Sequence, residues 1–175
     1  AYRVQGRLAA TVEPKLIRRS ENRVDLVFEI REGKITEVER LSFVGNRAFS
    51  DRRLRQVLET KQAGFLRQII KGDTFLPERL ELDKQLLRDF YTSRGYVDVQ
   101  VLDATGDLTP EQDAGFVTFT IREGRSFNVG QVSVASAIEG VDAAEFQRVL
   151  KLRPGVTYNP AVIDKNIQRM EDLAL

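Results

Sequence analysis

The acidic residues between positions 103 and 113 are the first group whose types and spacing could do chemistry. Asp103, Asp107, Glu111 and Asp113 offer carboxylate oxygens, the ligands that calcium ions take in proteins. Their spacing does not match an EF-hand loop, and the Thr, Gly and Pro residues among them are typical of a solvated connection. Glu111 and Asp113 also lack the apolar surroundings that general acid–base catalysis needs. The sequence therefore predicts neither a metal site nor a catalytic carboxylate pair here.

Basic and nucleophilic residues give no stronger case for catalysis. Arg52, Arg53 and Arg55 could contact phosphate, but they lie among predicted helix-core and acidic residues, which favours a solvated helix face. The chain has no Cys and no His, which excludes disulfides, thiol nucleophiles, zinc sites and the usual general base. Its 27 basic residues nearly balance its 26 acidic ones, so net charge gives no reason to expect nucleic acid or an anionic membrane. We predict no enzyme, no cofactor and no metal.

Residues 97 to 108 are the main candidate for a binding site. Val97, Val99 and Val101 alternate along a predicted strand, residues 96 to 102, whose continuation reaches Leu108. If this strand lies at the edge of a three-stranded sheet, its unpaired backbone groups can receive an extended partner chain. The alternative is an edge that is merely tolerated and is kept short or charged. The sequence leaves both interpretations open.

A second candidate is the apolar connection that contains Phe65, Leu66, Ile69 and Ile70. One interpretation is a short extra helical turn that packs on its own domain. The other is an exposed contact for a partner or for the adjacent domain.

The elements that position these candidates follow the order strand, helix, helix, strand, strand. The pattern predicts a first strand over residues 38–44, a helix that begins after the N-cap Ser50, and a second helix that begins at Pro77 and ends at Gly95. The strand over 96–102 follows, then an extended hairpin connection over 103–115. A closing strand has Val117, Phe119 and Ile121 on its inner face.

An internal repeat organises the whole chain. The sequence Ile30-Arg31-Glu32-Gly33 recurs 91 residues later as Ile121-Arg122-Glu123-Gly124, and the same offset pairs Val38 with Val129. We therefore predict the second half of a unit in residues 1–33, a complete unit in 34–124 and the first half of another in 125–175.

The two half-units carry their own predicted elements. The first is a hairpin of a strand over residues 2–12, a connection from Glu13-Pro14, and a half-buried strand over 23–30. The second has a strand over 129–134, a helix capped by Asp142 with Glu145, and a last helix opened by Asn159-Pro160. Because a hairpin alone is marginal in water, the first half-unit needs a helical layer. Both chain ends are expected to be cuts within larger units.

These landmarks resemble the POTRA domain, which has the same element order. The stretches that carry the resemblance are Phe43–Ser50 around the turn Gly45-Asn46, Tyr91–Val97 at the end of the second helix, and Val117–Gly124 in the closing strand. The connection ending Lys71-Gly72-Asp73 and the hairpin Leu108–Glu111 look like the third unit of the family's barrel assembly factors. The last half-unit departs from the pattern, because it reads Val134-Ala135-Ser136-Ala137 where the Gly-Asn turn is expected.

The resemblance implies an α+β fold of tandem repeats, each a three-stranded mixed sheet covered by two helices. It implies a non-enzymatic module at the periplasmic face of the Gram-negative outer membrane, soluble itself, with membrane contact only through a C-terminal barrel outside this sequence. The implied partners are an accessory propeller lipoprotein, unfolded barrel precursors and the rest of the assembly complex, but not nucleic acid. The implied contacts lie on the second strand: Val97, Val99, Val101, Leu102, Asp103 and Leu108. Secondary candidates are Phe65, Leu66, Ile69 and Ile70.

Two alternatives stay open at this stage. Within the family, the chain could belong to a two-partner secretion transporter or a TamA-like translocase, which have fewer or differently spaced units. Outside it, a nucleic-acid-binding α/β module would need exposed aromatic residues on its sheet or a basic face. Phe28, Phe43 and Phe119 fall on strand faces that we assign to the core.

Overall fold

The computed structural model describes residues 3–64, 74–136 and 142–174. These residues have an α+β fold: a two-stranded hairpin, a strand–helix–helix–strand–strand unit, and two further helices. The strands are β1 (Thr11–Arg18), β2 (Val24–Arg31), β3 (Glu37–Val44), β4 (Gln100–Leu108) and β5 (Ala114–Arg122). The helices are α1 (Asp51–Val57), α2 (Pro77–Thr92), α3 (Ala143–Val149) and α4 (Pro160–Ala174), and a 3₁₀ turn spans Arg3–Gln5.

The central unit contains a three-stranded mixed sheet with the order β3–β5–β4. β4 and β5 are antiparallel because a short turn joins them, whereas β3 and β5 are parallel because the chain crosses over through α1 and α2. The predicted three-stranded mixed sheet is therefore confirmed.

The hydrophobic core lies between one face of this sheet and the two helices. Alternation along β5 buries Val117, Phe119 and Ile121, as the sequence predicts. The other buried apolar residues are Val38, Leu41, Phe43, Leu54, Leu58, Phe75, Leu80, Leu87, Phe90, Tyr91 and Val101. The opposite sheet face carries polar residues such as Ser42, Thr118 and Thr120, so the central unit has two layers.

The helix boundaries follow their predicted caps. The Ser50 side chain accepts from the Arg53 N–H at the start of α1, and Pro77 occupies the first turn of α2. Gly95 follows α2 with φ of 90°, a conformation that favours glycine. In the last half-unit, Asp142 accepts from the Ala144 N–H (2.8 Å) and Asn159 accepts from the Ala161 N–H (3.0 Å).

The first predicted strand, over residues 2–12, is wrong. The structure places β1 at Thr11–Arg18, directly after the segment around Gly6, whose φ is 77°. Pro14, expected in a connection, pairs with Phe28 inside the β1–β2 ladder. A proline is compatible with this strand because its missing N–H lies on the side that faces away from β2.

The predicted strand over residues 129–134 is also absent from the described part of the chain. The Val129 backbone instead bonds to the loop before α4: its N–H donates to the Val156 carbonyl and its carbonyl accepts from the Gly155 N–H, both at 2.7 Å. Residues 131–136 have no regular secondary structure. Alternating apolar residues form a strand only where a second strand pairs with them.

The apolar face of β2 is exposed rather than half-buried. Val24, Leu26, Phe28 and Ile30 have 49–58% of their surface accessible. The assignment of Phe28 to a covered core face is therefore wrong for this chain, whereas Phe43 and Phe119 are buried as predicted. The apolar and polar residues of β2 alternate as in a strand that faces a core, but its apolar side chains remain exposed.

In the central unit and in the last half-unit, a buried polar residue on the second helix accepts hydrogen bonds from the backbone that follows the first helix. Asp83 on α2 is fully buried and accepts from the Glu59 N–H (2.7 Å) and the Thr60 N–H (3.3 Å), which follow α1. Asn166 on α4 is 3% exposed and accepts from the Lys151 N–H (2.7 Å), which follows α3. The same helix-to-helix contact therefore recurs with a charged acceptor in one unit and a neutral acceptor in the other.

We expect Asp83→Ala to lower the free energy of unfolding by about 2–3 kcal/mol, because it leaves the buried Thr60 N–H and the partly buried Glu59 N–H without their acceptor. Asp83→Asn should retain most of the stability, since the side-chain oxygen of Asn166 accepts the equivalent backbone hydrogen bond in α4. Asp89→Ala is the matched control, because Asp89 is an exposed carboxylate of the same helix. Urea unfolding measures all three, and equal losses for Asp83→Ala and Asp89→Ala would contradict the assignment.

Tyr91 and Glu123 form the second buried polar contact of the central unit. The Tyr91 hydroxyl donates to a Glu123 carboxylate oxygen (2.8 Å), and the Ala48 N–H donates to both oxygens of that carboxylate (3.0 and 3.1 Å). Burial raises the pKa of the Tyr91 hydroxyl, and the hydrogen bond to Glu123 raises it further.

This raised pKa predicts a loss of stability at alkaline pH. An unfolded tyrosine ionises near pH 10, so the contribution of Tyr91 is fully present below that pH and declines above it, by up to about 1.4 kcal/mol per pH unit. Urea unfolding at pH 8 and pH 11 should therefore show a smaller decline for Tyr91→Phe than for the unaltered chain. Tyr158→Phe serves as control and should keep the full decline. An unchanged decline in Tyr91→Phe would rule out this coupling.

Candidate functional site

The candidate site is the free edge of the central sheet. β4 is the last strand in the order β3–β5–β4, so one of its sides pairs with β5 and the other has no strand beside it in the described residues. α2 packs against β4 from the core side of the sheet. α2 thus covers one face of β4, while the side of the strand opposite β5 has no neighbouring strand in the described residues. Strand addition requires this geometry.

β4 begins later and ends later than the sequence predicts. Val97 and Val99 precede the strand, because a turn after α2 uses their backbone groups: the Val97 N–H donates to Gly95 (3.0 Å) and the Val99 N–H to Tyr96 (3.3 Å). Conversely, the predicted connection over 103–115 is wrong, since β4 runs to Leu108. The true turn covers residues 109–113, where the Thr109 hydroxyl donates to Asp113 (2.9 Å).

The predicted contact residues of β4 separate into buried and exposed ones. Val101 is 5% exposed and pairs with Ile121, so its side chain belongs to the core and is not offered to a partner. Leu102 is 54% exposed, because it follows the buried Val101 and therefore lies on the opposite face of the strand; the register then shifts between Val101 and Asp103. Asp103 and Leu108 are exposed as well.

The backbone donors on the open side can be assigned from two hydrogen bonds. The Ala104 N–H donates to the Asp103 carboxylate (2.8 Å), so it points away from β5. The Thr109 N–H donates to the Ala114 carbonyl (3.0 Å), so it points toward β5. Because donors alternate along an antiparallel strand, the N–H groups of Gly106 and Leu108 face outward together with that of Ala104.

Asp103 covers the first of these outward donors. Its carboxylate accepts from the Ala104 N–H and also from the Thr105 hydroxyl (3.0 Å). The exposed side chains of Asp98 and Asp107 add negative charge along the same edge. The edge is therefore closed and acidic at its beginning, whereas toward Leu108 its outward N–H groups have no strand beside them within the described residues.

Gly106 is a site residue that the sequence analysis missed. A Cβ at this position would lie 2.5 Å from the Phe75 ring, so the ring packs against the strand backbone and only glycine fits. An isolated glycine within a strand pattern is a signal of such close approach, and it was available in the sequence.

The remaining candidates do not assemble into a second site. Phe65, Leu66, Ile69 and Ile70 lie outside the described residues. Within the described ranges, no group of three or more Asp and Glu residues is placed to hold a metal ion. Asp113, one of the acidic candidates, closes the β4–β5 turn and lies 3.7 Å from the Lys34 ammonium group. No helix in the described part of the chain is both long enough and apolar enough to cross a membrane.

Comparison with known proteins agrees with this geometry. Residues 36–124 match the POTRA family, described as "Surface antigen variable number repeat", so the chain belongs to that family. It is 29% identical over 157 residues to the outer membrane protein assembly factor BamA of Neisseria meningitidis serogroup B, covering 90% of this chain and 20% of that protein. It is 31% identical over 146 residues to BamA of Neorickettsia risticii, covering 83% of this chain and 20% of that protein.

A solved structure shows the same fold at low sequence identity. The crystal structure of Haemophilus influenzae BamA POTRA3-5 matches with a TM-score of 0.56 and 16% identity, over 98% of this chain and 65% of that one. The chain spans about a fifth of the length of the two BamA relatives. The comparisons thus define the fold and the family of this segment.

The two neighbouring residues Val101 and Leu102 test the assignment of the β4 faces. Val101→Ala should lower the free energy of unfolding by about 2 kcal/mol, because it removes buried methyl groups from the core. Leu102→Ala should change it by less than about 0.5 kcal/mol, as expected for an exposed side chain. Urea unfolding of both variants provides the measurement, and the reverse order of losses would mean that the strand faces are assigned wrongly.

Proposed function

We propose that the chain is a periplasmic docking module of the outer-membrane β-barrel assembly machinery, and that β4 receives extended partner segments by strand addition. The observation that carries this proposal is the open side of β4, where the Gly106 and Leu108 N–H groups face outward and no strand of the described segments lies beside them. Membership of the POTRA family and similarity to proteins named as outer membrane protein assembly factors support the assembly role.

The chemistry of the edge favours unfolded barrel precursors as partners. Backbone hydrogen bonds give affinity without strong sequence selectivity, which suits a receptor for many different barrel strands. Exposed Leu102 and Leu108 offer apolar contacts for alternate side chains of an incoming strand. The acidic residues Asp98, Asp103 and Asp107 disfavour acidic partners and favour neutral or basic ones.

A BamB-like lipoprotein is the second proposed partner at this edge. An edge strand or loop of a folded protein can add to β4 in the same way as an unfolded segment, so the two partners would compete for the same donors. In this proposal the rest of the assembly complex is contacted through the other units, and the membrane only through a C-terminal barrel. We propose no enzymatic activity and no nucleic-acid partner.

A proline at Leu108 tests strand addition directly. Leu108→Pro removes one outward N–H without removing a hydrogen bond to β5, so the sheet should stay intact. Binding of a synthetic peptide from an outer-membrane barrel strand should weaken at least about fivefold, the effect of losing one net hydrogen bond of about 1 kcal/mol. Isothermal titration calorimetry measures the affinity, and amide NMR shifts locate the peptide on the chain.

Leu108→Ala is the matched control, because it removes the same side chain but keeps the N–H. The proposal requires that the proline variant lose clearly more affinity than the alanine variant while both unfold at similar urea concentrations. Equal affinities for the two variants, or peptide-induced shifts confined to residues outside β4, would overturn strand addition at this edge. A purified BamB-like lipoprotein in place of the peptide tests the second partner by the same comparison.

A further inference from the structure

The junction that precedes the central unit is built around one linker residue, Thr36. Its N–H donates to the Gly6 carbonyl (2.8 Å), which belongs to the preceding half-unit. Its carbonyl accepts from the Phe75 N–H (2.9 Å), just before α2 of the central unit. One backbone hydrogen bond therefore goes from Thr36 to each of the two units it connects.

The junction that follows the central unit has the same construction. Phe127, located 91 residues after Thr36, donates its N–H to the Gly95 carbonyl at the end of α2 (2.8 Å). Its carbonyl accepts from the Tyr158 N–H (3.0 Å), just before α4. Thr36 and Phe127 share no side-chain chemistry, so the common geometry comes from the backbone.

The glycine at each junction leaves no space for a side chain. Gly6 and Gly95 are buried and have φ of 77° and 90°. A Cβ on Gly6 would collide with the Thr74 methyl group. A Cβ on Gly95 would lie 2.8 Å from the Phe127 carbonyl oxygen and 2.9 Å from Cγ2 of Thr157, the counterpart of Thr74. Both glycines are thus required by close approach of the next unit.

A second pair of glycines repeats in the same way. Gly33 and Gly124, three residues before Thr36 and Phe127, have φ of 67° and 71°. A Cβ on Gly33 would lie 3.0 Å from Cβ of Ala9, and one on Gly124 would lie 3.0 Å from Cβ of Asp98. Ala9 and Asp98 each follow the first junction glycine by three residues.

We infer that these contacts form a clasp that locks consecutive units into one relative orientation. The clasp consists of the junction glycine, the linker residue and the Thr–aromatic pair before the next second helix. A linker residue whose N–H and carbonyl are both hydrogen-bonded cannot serve as a flexible hinge. The surface around each junction glycine therefore receives the linker and the Thr–aromatic segment of the unit that follows. This inference is independent of the proposed function.

The absence of Cys from the sequence makes the orientation measurable with two introduced spin labels. Glu78→Cys on α2 and Lys165→Cys on α4 place labels at exposed positions of the two units. In this double-cysteine chain, double electron–electron resonance should give one narrow distance distribution. Adding Gly95→Ala should widen that distribution at least about twofold, because the new Cβ pushes the Phe127 carbonyl and Thr157 away.

Gly155→Ala is the control for backbone strain. Gly155 has φ of 87°, close to that of Gly95, but a Cβ there would meet no atom within 4 Å. This variant should keep the narrow distribution. If Gly95→Ala and Gly155→Ala give the same narrow distribution as the parent, the clasp does not set the orientation and the inference is wrong.

A second pair of variants decides the matter if Gly95→Ala fails to fold, as judged by the loss of its cooperative urea transition. Phe127→Pro removes the N–H that reaches Gly95, whereas Phe127→Ala keeps it. Phe127 is 43% exposed, so neither variant removes a buried side chain. The proline variant should widen the distance distribution and the alanine variant should not. Identical widths in these two variants would equally overturn the inference.

Discussion

The buried carboxylate of Glu123 is the contact on which the arrangement of the central unit depends. A charged group inside a protein is tolerated only when hydrogen bonds replace its lost water. Here the replacements come from two directions, the Tyr91 hydroxyl on α2 and the Ala48 N–H after β3. The carboxylate thereby ties the end of β5 to the second helix and to the loop that leads into the first. The ring of Phe49 packs edge-on against Phe90 and Tyr91 beside it.

The position of α2 then determines both the candidate docking edge and the junction to the next unit. The end of the helix places Gly95, whose carbonyl receives the linker to the next unit. The turn after Gly95 uses the backbone groups of residues 96–99, so β4 cannot begin before Gln100. The candidate docking edge and the inter-unit junction therefore share one origin, and a shift of α2 would displace both together.

Much of the fold could be predicted because its signals are local. Caps such as Ser50, the proline at Pro77 and the strict alternation of β5 depend on neighbouring residues alone. The course of β4 could not be predicted, because the register shift near Leu102 breaks the alternation and only pairing with β5 reveals it. The site followed the same division: element order predicts an edge strand, whereas the burial of Val101 and the carboxylate of Asp103 on the Ala104 N–H depend on the register.

Comparison of the two repeats gives independent evidence that the outward backbone donors of the edge strand are blocked at a fixed position. In β1, Pro14 pairs with Phe28, and in β4 Ala104 pairs with Phe119, which lies 91 residues after Phe28. Because Arg19 donates to the Arg23 carbonyl, the backbone nitrogen of Pro14 faces outward, as that of Ala104 does.

Neither unit offers a free donor at this rung of its edge. In β1 the residue is a proline and has no N–H, and in β4 the Asp103 carboxylate already accepts the N–H of Ala104. Blocking an exposed edge limits indiscriminate pairing with other chains. A proline in one unit and a carboxylate in the other remove the free donor at the same structural position. This indicates that the absence of a free N–H there is itself a feature of the fold. In the proposed strand addition, a partner strand would begin its pairing beyond this rung, at Gly106 and Leu108 in the central unit and at Leu16 and Arg18 in the preceding one.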